Sequence, residues 1–110
     1  MKDIIYLINA DEDRYKIGIT SEKGISNRLK NLQTGSSCEL RLVTTYKTKY
    51  ASIIEKTLHR QFQSKKIIGE WFQLTTQEVF TFIETCSNIE NNIKILAEQN
   101  NDYILKTLNK

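Results

Sequence analysis

The N-terminal part of the chain constrains the fold most, because it contains two strand-like segments separated only by a short polar turn. The segments DIIYLI (3–8) and YKIGIT (15–20) are rich in β-branched and aromatic residues, and NADEDR (9–14) connects them. In the second segment, Ile17 and Ile19 lie on one face and small or polar residues on the other, which is the two-residue period of a strand. The sequence therefore predicts an antiparallel hairpin, onto which the remaining elements must pack.

Four further segments follow the hairpin and alternate between helical and extended patterns. ISNRLKNLQ (25–33) has apolar residues at helical spacing, and ELRLVTTY (39–46) alternates like a strand. KYASIIEKTLHRQF (49–62) carries an apolar stripe of helical period, and KKIIGEWFQL (65–74) is interpreted as a loop that leads into a short extended piece. The predicted order of elements is ββαβα.

The last third of the chain is predicted to be helical. Thr76 is the expected N-cap of a helix near 77–86, and a further helical stretch runs from 88 to 108, with an interruption near NND (100–102). The side chains expected to point inward from the first helix are those of Val79, Phe80 and Ile83. The later apolar series, which would pack on the core or pair with a second copy, consists of Ile89, Ile93, Leu96, Tyr103, Ile104 and Leu108.

Length and element order together define the expected fold class. A chain of 110 residues is large enough for one modest core and too short for two. We expect an α+β fold with a small, mainly antiparallel three-stranded sheet that is flanked by helices. Residues 1–75 are expected to form the core of the domain, and residues 76–110 a C-terminal helical extension packed on the same domain.

Composition argues against a membrane protein and favours an intracellular one. Apolar segments fall far short of the roughly 20 residues that cross a bilayer, and acidic residues follow the N-terminal apolar stretch too closely for a signal peptide. The two cysteines, Cys38 and Cys86, are therefore expected to be reduced thiols with structural roles. The expected location is the cytoplasm, or the nucleus or viral factory if the protein comes from a eukaryotic virus.

A tyrosine on the first predicted strand and a lysine on the second could act together. Tyr6 shares its strand face with Ile4 and Ile8, which favours a core tyrosine. The alternative is a phenol that acts near a phosphate, which requires a cation to lower its pKa from about 10. Lys16 could supply that cation.

Three residues of the predicted helices carry groups suited to phosphate and metal chemistry. Arg28 borders the apolar stripe of its helix, and a guanidinium binds phosphate with two hydrogen bonds. Glu55 and His59 are i and i+4 residues that share a helix face. The carboxylate could hold one Mg²⁺ ion, and the imidazole could carry a proton near neutral pH. Solvated surface roles for all three residues are the alternative.

The basic residues are concentrated in the N-terminal part of the chain. The net charge is +3, residues 1–75 carry the positive excess, and residues 76–110 are net negative. Such a distribution favours a DNA backbone as partner. The candidate DNA-binding side chains are Lys30, Lys56, Arg60, Lys65 and Lys66. Glu70 is a second candidate carboxylate, whereas Trp71 and Phe72 are expected to be core residues rather than platforms for base stacking.

Five motifs resemble, in the same order, those of the GIY-YIG nuclease superfamily. They are IIYLI, YKIGIT, RLKNLQTG, A-x-x-x-E-K-x-L-H-x-x-F (51–62) and GEWF, and they extend from about residue 3 to residue 74. The chain is most similar to the branch that is common in phages, large DNA viruses and bacteria, whose second motif contains KIG. The helices after residue 76 lie outside this resemblance.

The resemblance implies a role for each matching residue. Tyr6 would activate or position the attacking water, Arg28 would bind the scissile phosphate, and Glu55 would hold a single divalent metal ion. His59 recurs in this branch. Glu70 matches a position where some relatives have a polar site residue.

Two positions depart from the superfamily pattern. The first motif is IIY (4–6) and lacks a glycine, and the second is KIG (16–18), so that Lys16 occupies the position of the second tyrosine. Tyr15 is adjacent but is expected to point to the opposite face of the strand. Lys16 could therefore replace the second tyrosine through its charge.

The expected function is a DNA endonuclease that hydrolyses a phosphodiester bond with one Mg²⁺ or Mn²⁺ ion. The main alternative is a DNA-binding module without catalysis, in which Lys16 marks a degenerate site. A third interpretation is a nuclease that acts only beside a separate DNA-targeting partner. DNA is the implied partner, and a homodimer through the C-terminal helix is a further arrangement that the sequence leaves open.

Overall fold

The computed structural model describes residues 1–99, and the elements below belong to that part of the chain. The strands are β1 (Ile4–Asn9), β2 (Arg14–Thr20), β3 (Arg41–Lys47), β4 (Lys66–Ile68) and β5 (Trp71–Gln73). The helices are α1 (Ile25–Thr34), α2 (Ala51–Gln61), α3 (Thr76–Phe80) and α4 (Phe82–Gln99), with a short 3₁₀ turn at Gln63–Lys65. The elements that the sequence predicted before residue 62 are all present, with bounds close to the predicted ones.

The strands form one antiparallel sheet in the order β3-β1-β2-β5-β4. The predicted α+β class with an antiparallel sheet is confirmed, but the expected number of three strands is wrong, because KKIIGEWFQL forms the β4–β5 hairpin. Gly69 has φ +55, and a positive φ is what a type II′ turn requires at its first central position. Phe72 of this hairpin pairs with Tyr15 and so joins the hairpin to β2. Strands of three residues are too short to show a period in the sequence, so only their pairing defines them.

Strand β1 separates two apolar clusters, one on each face of the sheet. Ile5 and Leu7 belong to the larger cluster, which α2 and α4 cover, whereas Tyr6 and Ile8 belong to the smaller cluster under α1. Because both faces of β1 are buried, the strand is apolar along nearly its whole length and shows no alternation. Tyr6 is 1% exposed, which confirms the prediction of a core position.

The start of α3 differs from the prediction by one residue. Thr75, not Thr76, is the N-cap: its hydroxyl oxygen accepts a hydrogen bond from the Glu78 amide at 3.1 Å. In return, the Glu78 carboxylate accepts a hydrogen bond from the Thr75 amide at 2.9 Å. This reciprocal capping box pairs two amides that a helix start would otherwise leave without partners.

A turn at Thr81 between α3 and α4 changes which side chains point inward. Phe80 is 84% exposed and Ile83 is also exposed, so the expectation that both are buried is wrong, whereas Val79 packs against the larger cluster. The side chains buried instead are those of Phe82, Cys86 and Ile89. The reason is that α4 begins a new helical period after the turn.

Helix α4 is continuous from Phe82 to Gln99, where the sequence predicted a boundary near residue 87. Ile93 packs against the larger cluster, and Leu96 is exposed. The expected interruption at 100–102 and the later apolar residues (103–108) lie outside the described residues. Within residues 1–99, the helices are too short or too polar to cross a membrane.

Candidate active site

Tyr6 lies flat against Gly18 on the neighbouring strand. The two residues are register partners of β1 and β2, and a Cβ atom on Gly18 would come within 3.0 Å of the Tyr6 hydroxyl oxygen and two ring carbons. A glycine is therefore the residue that leaves room for the ring. This close approach gives the glycine of KIG a structural role and fixes the phenol against the sheet.

The phenol of Tyr6 keeps its proton at neutral pH. Burial raises the pKa of Tyr6 to about 12, and the carboxylate of Glu70 adds to this effect. The charge of Arg28 lowers the pKa of Tyr6 and that of Glu55 raises it, so both side chains are close enough to act on the phenol. The cation that opposes the upward shift is Arg28, and not Lys16 as the sequence suggested.

Lys16 is held by the β4–β5 hairpin. Its Nζ lies 3.2 Å from Oε2 of Glu70 and 5.7 Å from the centre of the Trp71 ring. Glu70 occupies the hairpin turn, and its carbonyl oxygen accepts a hydrogen bond from the Ile17 amide at 3.1 Å. Trp71 packs in the smaller cluster and Phe72 in the larger one, which confirms that both are core residues. Lys16 and Glu70 thus form an ion pair between β2 and the hairpin turn.

Arg28 reaches the site from α1. Ile25 and Leu29 of the same helix pack against the Tyr6 cluster, and Arg28 between them is half-buried. Within residues 1–99, no carboxylate forms an ion pair with its guanidinium. The guanidinium is therefore available to bind an anion beside the phenol.

Glu55 projects from α2 into the same region and is half-buried. Burial raises the pKa of Glu55, and the nearby carboxylate of Glu70 raises it further. The charges of His59, Lys2 and Lys16 act in the opposite direction. Lys2 was not singled out from the sequence, since nothing in its position before the first strand indicates that it lies near a helix fifty residues later.

The carboxylates of Glu55 and Glu70 fit a magnesium or manganese ion, which prefers oxygen ligands, better than a zinc ion, which prefers His and Cys ligands. A divalent cation would relieve the repulsion between Glu55 and Glu70 that raises the pKa of Glu55. Among residues 1–99, no three His, Cys, Asp or Glu side chains are grouped to hold a metal, so the chain would supply few ligands. Mg²⁺ accepts such a site, because it keeps several waters and binds phosphate oxygens.

His59 connects α2 to the sheet. Its Nε2 donates a hydrogen bond to the Ile17 carbonyl oxygen at 3.0 Å, and its ring centre lies 5.1 Å from that of Phe72. A carbonyl oxygen only accepts hydrogen bonds, so the proton resides on Nε2 and Nδ1 is left for another partner. The imidazole therefore contacts β2 through Nε2 and can accept a hydrogen bond through Nδ1.

Residues 3–87 match the family model described as the T5orf172 domain. The match covers all the strands, the helices α1, α2 and α3, and the start of α4, and it extends beyond residue 75, where the sequence placed the end of the core. The chain belongs to the T5orf172 domain family. T5orf172 domains are associated with nuclease-like proteins, and this association points to a nuclease or DNA-binding role. No curated protein and no solved structure matches the chain.

The remaining candidates occupy different surroundings in this T5orf172 domain. Tyr15 packs against the larger cluster, on the face of β2 opposite to Lys16. The Nζ of Lys65 lies 2.8 Å from Oε1 of Glu78, so this lysine is engaged at the start of α3. Four of the five candidate DNA-binding side chains are exposed to solvent, and these are Lys30, Lys56, Arg60 and Lys66.

Proposed function

We propose that this T5orf172 domain is a metal-dependent DNA endonuclease that hydrolyses a phosphodiester bond through a single-metal site of the GIY-YIG type. The observation that carries the proposal is a proximity: the pKa of the buried Tyr6 phenol responds to the charges of Arg28 and Glu55. Tyr6 belongs to β1, Arg28 to α1 and Glu55 to α2, so charges from two helices act on the phenol of the strand. A phenol, a guanidinium and a carboxylate together can orient water, bind a phosphate and hold a metal ion.

Glu55 is the residue that would hold the Mg²⁺ or Mn²⁺ ion, with Glu70 as the second carboxylate nearby. When bound, such an ion neutralises the phosphate and stabilises the leaving 3′ oxygen. Lys2 and Lys16 lower the pKa of Glu55 and so favour its charged form, which is the form that binds a cation. The small number of protein ligands would leave room for water and phosphate oxygens.

Arg28 would bind the scissile phosphate. Its planar guanidinium can donate two parallel hydrogen bonds to phosphate oxygens. Because the side chain is half-buried, its charge acts in a medium of lower dielectric constant than water. Arg28 would therefore stabilise the negative charge that develops on the phosphate in the transition state.

Tyr6 would orient the attacking water rather than deprotonate it. With a pKa of about 12, its hydroxyl is neutral near pH 7 and can donate one hydrogen bond and accept another. Contact with Gly18 fixes the ring, and a fixed hydroxyl is what orientation of a water molecule requires. Nδ1 of His59 is the candidate acceptor for the proton, since Nε2 is bound to the Ile17 carbonyl.

A DNA-binding module without catalysis is the second candidate function. The observation in its favour is Lys16, which stands where the motif has its second tyrosine and is engaged by Glu70. The exposed lysines and arginine would serve either function, because phosphate contacts do not depend on cutting. Cleavage, and not binding, therefore distinguishes the two candidates.

Nicking of a supercoiled plasmid with Mg²⁺ or Mn²⁺ tests the proposal. The site variants are Glu55→Gln and Arg28→Ala, and the matched controls are Glu84→Gln and Arg41→Ala, which change exposed residues of the same types outside the site. We expect metal-dependent nicking by the wild type and both controls. Each site variant should lose at least about 100-fold in rate, the effect of removing one group that stabilises transition-state charge.

The outcomes separate the candidates when DNA binding is measured beside nicking. Glu55→Gln should still shift a DNA duplex in a gel, since backbone contacts by basic residues supply most of the affinity. Binding by the wild type without nicking in either metal would support the DNA-binding module. Nicking that persists in both site variants would mean that the chemistry lies elsewhere.

A further inference from the structure

Two isoleucines at the tip of the β4–β5 hairpin are exposed. Ile67 is 47% exposed and Ile68 is 71% exposed, and the exposed Lys66 and the turn at Gly69 flank them. Both isoleucines belong to β4, which is an edge strand of the sheet. Apolar residues on an open edge favour aggregation, and proteins normally cover them or replace them with charged residues. Ile68 is more exposed than Leu42 and Val43 on the other edge strand, which are 41% and 42% exposed, so the hairpin tip is the more open apolar edge of the two.

The sheet register places Ile68 on the face that carries the candidate site. Ile68 pairs with Trp71, and Trp71 pairs with Lys16, so the three side chains form a row across the sheet. Gly18, which supports the Tyr6 ring, lies two residues further along β2. Strands are about 4.8 Å apart and residues about 3.4 Å apart along a strand, so the hairpin tip lies roughly 12 Å from this position.

We infer that the β4–β5 hairpin is a DNA wedge whose isoleucines, Ile67 and Ile68, enter the groove beside the bound strand and press against its base pairs. The inference rests on the proposed function, which brings a phosphate to Arg28. The minor groove of DNA is about 6 Å wide and the major groove about 12 Å. The tip lies roughly 12 Å from Gly18, against which the Tyr6 hydroxyl packs, so it reaches the groove next to a phosphate that is bound beside this hydroxyl. Isoleucine is one of the residues that insert between base steps in proteins that kink DNA.

The base of the hairpin is anchored, as a wedge requires. Phe72 is buried in the larger cluster and pairs with Tyr15 of β2. Lys65, at the other end of the hairpin, forms its ion pair with Glu78 at 2.8 Å. Lys65, which the sequence suggested as a DNA ligand, thus ties the hairpin to α3. An anchored hairpin can separate stacked bases while it keeps its own position on the sheet.

A second copy of the chain fits the tip less well than DNA does. A stable dimer buries about 800 Å² on each partner, and two isoleucine side chains on a strand of three residues supply only a small part of that area. A wedge needs only one or two apolar side chains. The exposed Lys66 also brings positive charge next to the isoleucines, which suits a phosphate backbone.

The test compares two double variants at opposite edges of the sheet. The first combines Ile67→Ser with Ile68→Ser. The control combines Leu42→Ser with Val43→Ser, since these residues are 41% and 42% exposed on the other edge strand, β3. Leu42 pairs with Ile8 and so lies on the same face as Ile68, far from the hairpin. Thermal melting of each variant checks that the fold is kept.

Two measurements in EDTA, where a metal-dependent nuclease does not cut, report binding and base unstacking. The affinity for a fluorescein-labelled duplex of about 20 base pairs should fall about tenfold in the hairpin variant and stay within about twofold in the control. Relaxation of a closed plasmid by a metal-independent topoisomerase measures unwinding. At concentrations that bind the same fraction of the plasmid DNA, the wild type and the control should shift the topoisomer distribution. The hairpin variant should not shift it. With Mg²⁺, the hairpin variant should show a raised KM and an unchanged maximal rate of nicking.

The results distinguish the wedge from the proposed function on which it rests. Wild-type nicking together with unchanged binding and unwinding in the hairpin variant would overturn the wedge and leave the nuclease standing. A wild type that neither binds nor nicks DNA would overturn both. A dimer seen by light scattering that the hairpin variant dissociates would assign the tip to a second copy and overturn the wedge.

Discussion

The imidazole of His59 donates a hydrogen bond to the carbonyl oxygen of Ile17, with 3.0 Å between Nε2 and the oxygen. On the same side of β2, the amide of Ile17 donates to the carbonyl of Glu70 at 3.1 Å. In a regular antiparallel ladder, the amide and the carbonyl of a residue placed like Ile17 both bond to the same neighbouring strand. Here the Ile17 carbonyl instead accepts its hydrogen bond from the His59 side chain of α2. Strand β5 pairs only with residues 14–16 of β2. The pairing of β2 with the hairpin thus ends at Ile17, where the His59 side chain binds.

Replacing His59 tests how far this bond organises the site. His59→Ala should lower the free energy of unfolding by about 1–2 kcal/mol, because the Ile17 carbonyl loses its donor and Phe72 loses a ring contact. His59→Gln should recover part of the loss, since its amide can also donate. Urea denaturation measures both changes. An alanine variant as stable as the wild type would show that the bond contributes nothing.

The glycine of KIG should tolerate no side chain. Gly18→Ala should destabilise the protein by about 1–3 kcal/mol and abolish nicking, because the added methyl group overlaps the Tyr6 ring. The matched control is Gly35→Ala, where the nearest atom to an added Cβ is the Leu32 carbonyl oxygen at 3.9 Å. Thermal unfolding and plasmid nicking should show no loss in the control. A Gly18→Ala protein with full activity would contradict the role assigned to the contact.

Removing the Tyr6 hydroxyl should separate activity from stability. Tyr6→Phe keeps the ring that fills the core and should reduce nicking about 100-fold, while the free energy of unfolding changes by less than about 1 kcal/mol. Tyr46→Phe is the opposite case, because the Tyr46 hydroxyl lies 3.2 Å from Glu90 and outside the site. That variant should lose about 1 kcal/mol and keep its activity. Comparable nicking by Tyr6→Phe and wild type would exclude Tyr6 from the reaction.

The pKa of Tyr6 predicts a loss of stability in alkaline solution. In the folded protein this pKa is about 12, against about 10 in the unfolded chain, so the folded state binds the proton more tightly. The contribution is complete below about pH 10 and is lost as the pH rises from 10 to 12. At pH 11 the wild type should lose on the order of 1 kcal/mol that Tyr6→Phe does not lose. Urea midpoints at pH 9, 10 and 11 measure the difference, and parallel pH profiles would refute it.

The two cysteines should differ in reactivity. Burial raises the pKa of Cys86 to about 12, so its thiol remains protonated and covered at pH 8, whereas Cys38 is partly exposed. Ellman's reagent should therefore modify one thiol in the native protein and both after unfolding. Cys38→Ser should abolish the native reaction, and Cys86→Ser should leave it unchanged. Rapid modification of both thiols in the native protein would contradict the burial of Cys86.

The sequence alone was sufficient for elements whose period is long enough to recognise. Strands β1 and β2 and helices α1 and α2 appear close to their predicted bounds. Strand β1 is a run of β-branched and aromatic residues, and the apolar residues of the other three elements recur with the period of a strand or a helix. The order of motifs also brought Tyr6, Arg28 and Glu55 together as candidates, although they are far apart in the chain. Local pattern and motif spacing contain this information without any knowledge of packing.

Only the tertiary structure decided which residues act on one another. The pairing of Phe72 with Tyr15 defines a strand in a segment that is too short to show a period in the sequence. The turn at Thr81 changes which face of α4 is buried. The same packing put Lys16 beside Glu70 and left Arg28 as the cation that acts on Tyr6. These outcomes depend on distances between side chains from different elements, and such distances are fixed by the packing of strands and helices against each other rather than by neighbours in the chain.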